Sequence, residues 1–394
     1  MTSYVAGTPV QNDSILEVKS PYDNRVVGTV TLANASHVEQ AIQAGLKGGK
    51  ALTRYDRFSI LDKARQLLIA RKDQFAQTIS AESGLAIREA NYETGRAHDV
   101  LLFAAMESLK DDGQIFSCDI SPQGKARKIF TLREPVALAV CITPFNHPLN
   151  QVVHKLAPAL AVGTPVILKP SEKTPLTAIL LTELLYEAGL PHYMLSTLLG
   201  PTKEIAEPLV KDPRVDIVSF TGSVAVGKHI ASSVGYKKVI LELGGNDPLI
   251  IMEDADMDTA VHLAAKVLLG GKRNGALLEP TVIDNVPRNA QMIVQESFGP
   301  LAPILTFKDI DDAIALSNST AYGLSSGIVT HNMDYALRFI KELKVGTVNI
   351  NEVPGYRIES SPFGGIKDSG LGIKEGVIEA MKCFTYVKTF SLPW

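Results

Sequence analysis

Apolar residues fall into three successive patterns along the chain. Over Ser36–Gly48, Tyr55–Ala81 and Arg88–Leu109 they recur at three-to-four spacing with few breakers, which predicts helices packed on one face of a larger body. Ahead of them LEVKS and RVVGTV flank the turn signal PYDN and predict a hairpin. SPQGKARKIFTLREPVALAVCI then alternates, with a predicted turn at Arg133-Glu134-Pro135. This gives a projecting hairpin, a ribbon that suits pairing with another subunit, leading into a buried strand. From Val136 to Ile251 the runs VALAVCI, TPVILK, MLSTLL, VDIVSF and KVILEL are continuous and apolar, with helical segments between them. That is the signature of a parallel sheet covered on both faces, an α/β fold. EPTVIDNV, QESFGPLAPILTF, DDAIALSNST, GLSSGIVT, NMDYALRFIKEL and GTVNINE continue the strand–helix alternation, and KCFTYVKTFSLPW closes as a strand. The expected organisation is an N-terminal hairpin with helices (1–120), a projecting hairpin (121–135), a nucleotide-binding α/β unit (136–251), a second α/β unit (252–380) and a terminal pairing strand (381–394).

Composition narrows the class. The 394 residues are 45% hydrophobic, enough for two or three cores, and a net charge of −3 without blocks of one sign argues against nucleic acid or an acidic membrane surface. No stretch reaches the length of a membrane span, and the polar start MTSYVAGTPVQNDS lacks a charged-then-apolar signal, so the cytoplasm is expected. The three cysteines, Cys118, Cys141 and Cys383, have no metal-ligand spacing, and no metal is expected.

In an open parallel sheet, ligands sit at the carboxyl ends of the strands. There the sequence places Thr143-Pro144-Phe145-Asn146, Lys169-Pro170-Ser171-Glu172, Gly200-Pro201 and Phe220-Thr221-Gly222-Ser223. Gly222 and Ser223 open a helix whose free N–H groups and dipole can hold a diphosphate, although the same residues also make a plain strand-to-helix turn. Lys169 and Glu172 offer a donor and an acceptor to an adenosine ribose, or form a solvated salt bridge. A carboxylate there repels a 2′-phosphate, favouring NAD over NADP. In VILELGGND, Glu242 ends a β-branched run before two glycines, which presents a carboxylate at a strand tip or merely caps the strand.

In order, TPFNHP, LKPSE, FTGSxxxGK, LELGGND, QESFGP and SPFGGIKDSG resemble the aldehyde dehydrogenase superfamily over almost the whole chain. LTRYDR, ITPFNHPLN and EVPGYRIESSPFGGIKDSG look most like members that oxidise phosphonoacetaldehyde to phosphonoacetate. The resemblance implies a cysteine thiolate that attacks the aldehyde and an oxyanion held by Asn146. Hydride transfer to NAD then leaves a thioester, which water activated by Glu242 hydrolyses. It also implies cofactor contacts from Thr143, Phe145, Lys169, Glu172, Gly200, Phe220, Gly222, Ser223, Glu296 and Phe298, and assembly as a homodimer or homotetramer. Glu204 stands where the family carries a second small residue four positions after Gly200.

The family's nucleophile has no counterpart, since no cysteine lies between Cys141 and Cys383. At about Ala265–Lys266 the chain passes into KVLLGGKRNGALLEPTVIDNV, which resembles a segment normally found well downstream, so roughly 80 residues are missing by family length. Cys141, inside VALAVCI, reads as a small buried hydrophobe. For a phosphonate dianion the candidates are Arg357, in PGYRIES, with Arg96 and His147. The alternatives are a helix-face salt bridge for Arg96 and a helix N-terminal contact for His147.

Overall fold

Five parallel strands form the centre of the molecule because their sequences are apolar on both faces. The computed structural model describes residues 1–256, 258 and 270–394. In chain order, short strands β1 (Tyr4–Val5) and β2 (Thr8–Pro9) precede the hairpin β3 (Ile15–Lys19) and β4 (Val26–Thr31), which pairs as the PYDN turn predicts. Helices α1 (Ala35–Lys47), α2 (Arg54–Ala70), α3 (Lys72–Ser83) and α4 (Ile87–Ser108) follow. Next come β5 (Ile115–Ser117), β6 (Arg127–Pro135), β7 (Ala139–Ile142), α5 (Asn150–Val162), β8 (Val166–Lys169), α6 (Leu176–Glu187) and β9 (Leu195–Thr197). The series continues with α7 (Ala206–Lys211), β10 (Ile217–Thr221), α8 (Val224–Ser233) and β11 (Lys238–Glu242).

The main sheet runs β11-β10-β7-β8-β9-β1-β2 and is parallel from β11 to β9. The chain winds outward from β7 through β8 to β9, then returns to β7's other side for β10 and β11. The direction therefore reverses between β7 and β10, and the crevice there is where such sheets take ligands. One face is covered by the large core of α2–α6, with Leu61, Phe75, Val100 and Leu156 buried, and the other by α1, α7 and α8. After β12 (Leu249–Ile251) come the short pairs β13 (Arg273–Asn274) with β14 (Leu277–Leu278) and β15 (Thr281–Ile283) with β16 (Leu301–Pro303), then β17 (Ser325–Val329) and β18 (Thr347–Ile350). Of these, β12, β17 and β18 form a second parallel sheet with its own smaller core around Ile328 and Phe339. The strand β19 (Thr385–Pro393) pairs antiparallel with all nine residues of β6, and β5 joins on the far side.

Four expectations are corrected. The periodic stretch Tyr55–Ala81 is two helices broken at Arg71, because α2 and α3 each bury a separate face, Leu61–Leu68 and Phe75–Ile79, against α4. The spacing across the break is two full helical turns, so no sequence signal marks it. The chain does not turn at Arg133-Glu134-Pro135: β6 runs straight through them, held by β19, and the turn lies between Ser117 and Arg127. Leu249–Ile251, assigned above to the nucleotide unit, is the edge of the second sheet through pairing with Gly327–Val329. The terminal segment begins as helix Val377–Cys383 before turning into β19. The join at Ala265–Lys266 and most of the helix DADMDTAVHLAA lie outside the described residues. Among the described residues no helix is long and apolar enough to cross a membrane.

Candidate active site

The parallel register brings the sequence-predicted residues to one edge. Phe220 pairs with Ile142, Ile142 with Lys169, and Thr221 with Glu242, so Thr143, Lys169, Thr221 and Glu242 line the carboxyl ends of four neighbouring strands. Lys169 Nζ donates to Glu172 Oε1 at 2.7 Å, with Lys169 buried and Glu172 partly exposed. Ser223 is exposed at the start of α8 and accepts from the N–H of Val226. Gly200 is buried, and a Cβ there would lie 2.7 Å from Ala33 O, so packing against the β4–α1 link accounts for this glycine. The buried hydroxyls of Thr143 and Thr221 and the side-chain oxygens Asn146 Oδ1 and Glu242 Oε1 have no hydrogen-bond partner among the described residues. Four orphaned polar atoms along one crevice fit a polar, hydroxyl-rich group such as a dinucleotide, because buried polar atoms are normally satisfied.

Two contacts fold residues 296–298 over this edge. The N–H of Gly245 donates to Glu296 Oε1 at 3.4 Å, and the Phe298 ring meets the Phe145 ring edge-on at 5.8 Å. Glu296 thus lies over the turn that follows Glu242, while Phe298 touches the neighbour of Asn146. Phe298 holds a left-handed backbone (φ 43°) and is 64% exposed, an unfavourable combination that presents the ring to the crevice mouth.

Glu242 is 6% exposed, and its strand end is fixed on both sides. Its carbonyl accepts from the N–H of Gly222 at 3.0 Å, and the next amide, of Leu243, donates to Ser369 O at 3.0 Å. Gly364 leaves room for the carboxylate: a Cβ there would lie 2.7 Å from Glu242 Oε1 and 2.6 Å from Ile373 O. Burial, reinforced by the nearby charge of Glu375, pushes the Glu242 carboxyl well above the usual carboxylate range, against the pull of Lys155, Arg357 and Lys374. Lys155 Nζ donates to Glu375 Oε1 at 2.7 Å and to Ser219 Oγ at 2.9 Å. Burial alone would raise Glu375, but Lys155 holds it ionised, below the usual range. Burial thus drives Glu242 toward its neutral form, while Lys155 drives Glu375 toward its ionised one. Sequence reading missed Lys155, Glu375 and Gly364. A lysine inside the apolar helix NQVVHKLAPALAV was the available signal, because a buried ammonium needs a partner.

Two of the three substrate candidates meet at α4, which carries Arg96 and touches His147. Arg96 pairs with buried Glu359, which also accepts from His154. Burial would raise Glu359, but His154 and Arg96 bring it down to about 2, while burial lowers His154 against the pull of Glu359. The helix-face pair considered for Arg96 is thus replaced by a bond across the fold. Arg357 stacks on the Phe363 ring at 3.9 Å; burial and the charge of Arg96 lower its pKa. His147 Nδ1 lies 3.4 Å from Glu93 Oε2, one helical turn before Arg96 on α4.

The thiols stand elsewhere. Cys141 is fully buried inside β7, and burial pushes it up to about 12; Cys118 follows β5 in the ribbon, and Cys383 ends the helix before β19. No cluster of three or more potential metal ligands occurs among the described residues.

A doubly wound parallel sheet with a buried carboxyl at its switch-point edge, facing a second α/β sheet, defines a class of dinucleotide-dependent oxidoreductases. Residues 8–266 and 261–390 match the model of the aldehyde dehydrogenase family, and the chain belongs to that family. It is 32% identical to the 3-sulfolactaldehyde dehydrogenase of Priestia megaterium, over 95% of this chain and 94% of the relative. It is 29% identical to the sulfoacetaldehyde dehydrogenase of Neptuniibacter caesariensis, over 94% and 98%. Aldehyde dehydrogenase 21 from Physcomitrella patens, solved with its reaction product succinate, superposes with a TM-score of 0.94 at 30% identity, covering 100% of this chain and 98% of that one. The NADP-dependent glyceraldehyde-3-phosphate dehydrogenase of Bacillus halodurans, solved with NADP, gives 0.95 at 26% identity, covering 100% and 99%.

Proposed function

We propose that this chain binds NAD and a small aldehyde with an anionic head group, as an aldehyde dehydrogenase does, and that the thioester route is closed to it. The observation that carries the reading is the row of strand ends: Thr143, Lys169 and Thr221 lead to buried Glu242, and two orphaned hydroxyls and two orphaned side-chain oxygens face the same crevice. Thr143, Phe145, Lys169, Glu172, Gly200, Phe220, Gly222, Ser223, Glu296 and Phe298 would hold the cofactor, which when bound can accept hydride only from an aldehyde carbon that already carries an added nucleophile, so without the thiol binding would not lead to turnover. Asn146 would hold the carbonyl oxygen, and Glu242 would exchange the proton. The Glu172 carboxylate favours NAD over NADP by repelling a 2′-phosphate.

The closed route rests on the cysteines and on a deletion at the join. The two matched stretches of the family model meet at residues 261–266, and the match to the Priestia megaterium relative runs over 448 positions, more than the 394 residues available. Both support a missing internal segment there. For the substrate, phosphonoacetaldehyde fits the guanidinium of Arg357 near Arg96 and His147. The named substrates of the sulfonate-handling relatives carry a similar tetrahedral anion. In a complete relative the product would be phosphonoacetate. A second reading, a nucleotide-binding or subunit-interaction protein without turnover, is favoured by the full burial of Cys141 within β7 and the placement of Cys118 in the ribbon and Cys383 at the end of the helix before β19. Exposed Ile115, Phe116, Phe390 and Leu392 on the β5–β6–β19 ribbon suit a homodimer or homotetramer, and the cytoplasm suits three free thiols.

Fluorescence titration with NADH tests the binding. Saturable binding, weakened by Ser223→Asp, is expected; the absence of saturation, or an affinity indifferent to that charge, contradicts the assignment.

A further inference from the structure

Two glutamates outside the crevice, Glu82 near the end of α3 and Glu93 in the second turn of α4, are each 2% exposed and reach across to the beginnings of other helices. Glu82 Oε2 accepts the N–H of Leu176 at 2.7 Å and Oε1 that of Thr177 at 2.9 Å. Glu93 Oε1 accepts the N–H of Leu149 at 2.8 Å and that of Asn150 at 2.9 Å. All four amides belong to buried residues, where water cannot replace a lost partner. Neither α5 nor α6 has a side-chain cap of its own, whereas α8 is capped locally by Ser223.

What these helices follow gives the two carboxylates their meaning. α5 follows residues 143–149, which carry Thr143, Phe145 and Asn146, and α6 follows residues 170–175, which carry Glu172. Thr174 Oγ1 donates to Phe145 O at 3.4 Å and ties one loop to the other. Both helix starts are thus occupied by buried acceptors, Glu82 with its carboxyl pushed up to about 7 by burial, whereas the start of α8 stays open to an incoming diphosphate.

We propose that Glu82 and Glu93 are positioning residues that hold the two ligand-facing loops from below, Glu93 the loop of Asn146 and Glu82 the loop of Glu172. This rests on the NAD reading above. Glu82→Gln keeps the volume but replaces one acceptor oxygen with a donor, so one of the two backbone bonds is lost. At Glu93 both amides share Oε1, which a glutamine can keep, so removing them takes the apolar Glu93→Leu.

Hydrogen–deuterium exchange on the full chain, paired with NADH and AMP titrations of Glu82→Gln and Glu93→Leu, tests the proposal. Glu93→Leu should speed exchange in residues 143–150 alone and weaken NADH about tenfold or more, with AMP changed less than about twofold, since each lost hydrogen bond is worth about 1 kcal/mol. Glu82→Gln should speed exchange in residues 170–177 and weaken NADH and AMP alike, because AMP reports the adenosine side. Unchanged exchange, exchange raised throughout the chain, or equal loss of AMP in both variants overturns the proposal. Should Glu93→Leu fail to fold, Glu93→Asp, which keeps the charge but shortens the reach, carries the same comparison. A wild type that binds neither ligand overturns the NAD reading instead, and the two exchange patterns then decide the loop assignment by themselves.

Discussion

Lys155 and Glu375 form a 2.7 Å ion pair beneath Glu242, joining the middle of α5 to a segment 220 residues further along the chain. Lys155 is fully buried and Glu375 nearly so. The pair fixes the relative position of the main sheet and the loop that wraps Glu242, and it decides which of the two carboxyls carries the charge.

Breaking the pair from one side leaves a buried charge without compensation. Lys155→Met should cost about 3–5 kcal/mol in urea unfolding. Adding Glu375→Gln should restore a large part of that, since the stranded charge is removed. A double variant no more stable than the single one would show that volume, not charge, dominates the site.

The raised Glu242 carboxyl gives stability a signed dependence on pH. Its folded pKa lies above the unfolded value, so the protonated group contributes fully below the ordinary carboxylate range, and that contribution is lost as pH rises through the folded pKa. Glu242→Gln cannot ionise. Its stability relative to the wild type should therefore grow with pH from about 4.5, by up to about 1.4 kcal/mol per pH unit, and level off above the folded pKa. Denaturant midpoints at several pH values measure this; a difference that shrinks with rising pH contradicts the assignment.

Gly364 is the residue that makes room for Glu242. Gly364→Ala places a methyl 2.7 Å from Oε1 and 2.6 Å from a backbone carbonyl. Overpacking of this kind costs about 1–3 kcal/mol, and melting should fall accordingly. The Glu242 carboxyl should shift toward solvent and back toward an ordinary pKa, measurable as a weakened pH dependence in the same unfolding series.

Glu172, paired with Lys169 at the adenosine side, should set cofactor choice. Glu172→Gln should weaken NADH by about fivefold, the loss of roughly 1 kcal/mol of hydrogen bonding, while improving NADPH. Parallel titrations with the two cofactors check this, and an unchanged ratio removes Glu172 from the ribose site.

The strand ends were legible because continuous apolar runs fix where a buried strand stops, and Thr143, Lys169 and Glu242 stand at or just beyond those stops. The hairpin at PYDN and the existence of a C-terminal strand were legible from alternation and turn chemistry, but that strand's partner, β6, was not. The helix break at Arg71 was not, because the apolar spacing continues through it. Nor was the site's electrostatic support. Lys155 signals that a partner exists, but its identity depends on a contact spanning 220 residues. The roles of Arg96 and His147 depended likewise on Glu359 and Glu93, carboxylates that no local pattern distinguishes from surface charge.

The central claim is that a crevice shaped for a dinucleotide lacks a thiol able to form a thioester. Nicotinamide absorbance, followed while the protein is mixed with NAD and phosphonoacetaldehyde or sulfoacetaldehyde, tests it most directly. With NADH binding established, the trace should stay flat at every aldehyde concentration. A steady, enzyme-dependent rise abolished by alkylating the cysteines would contradict it.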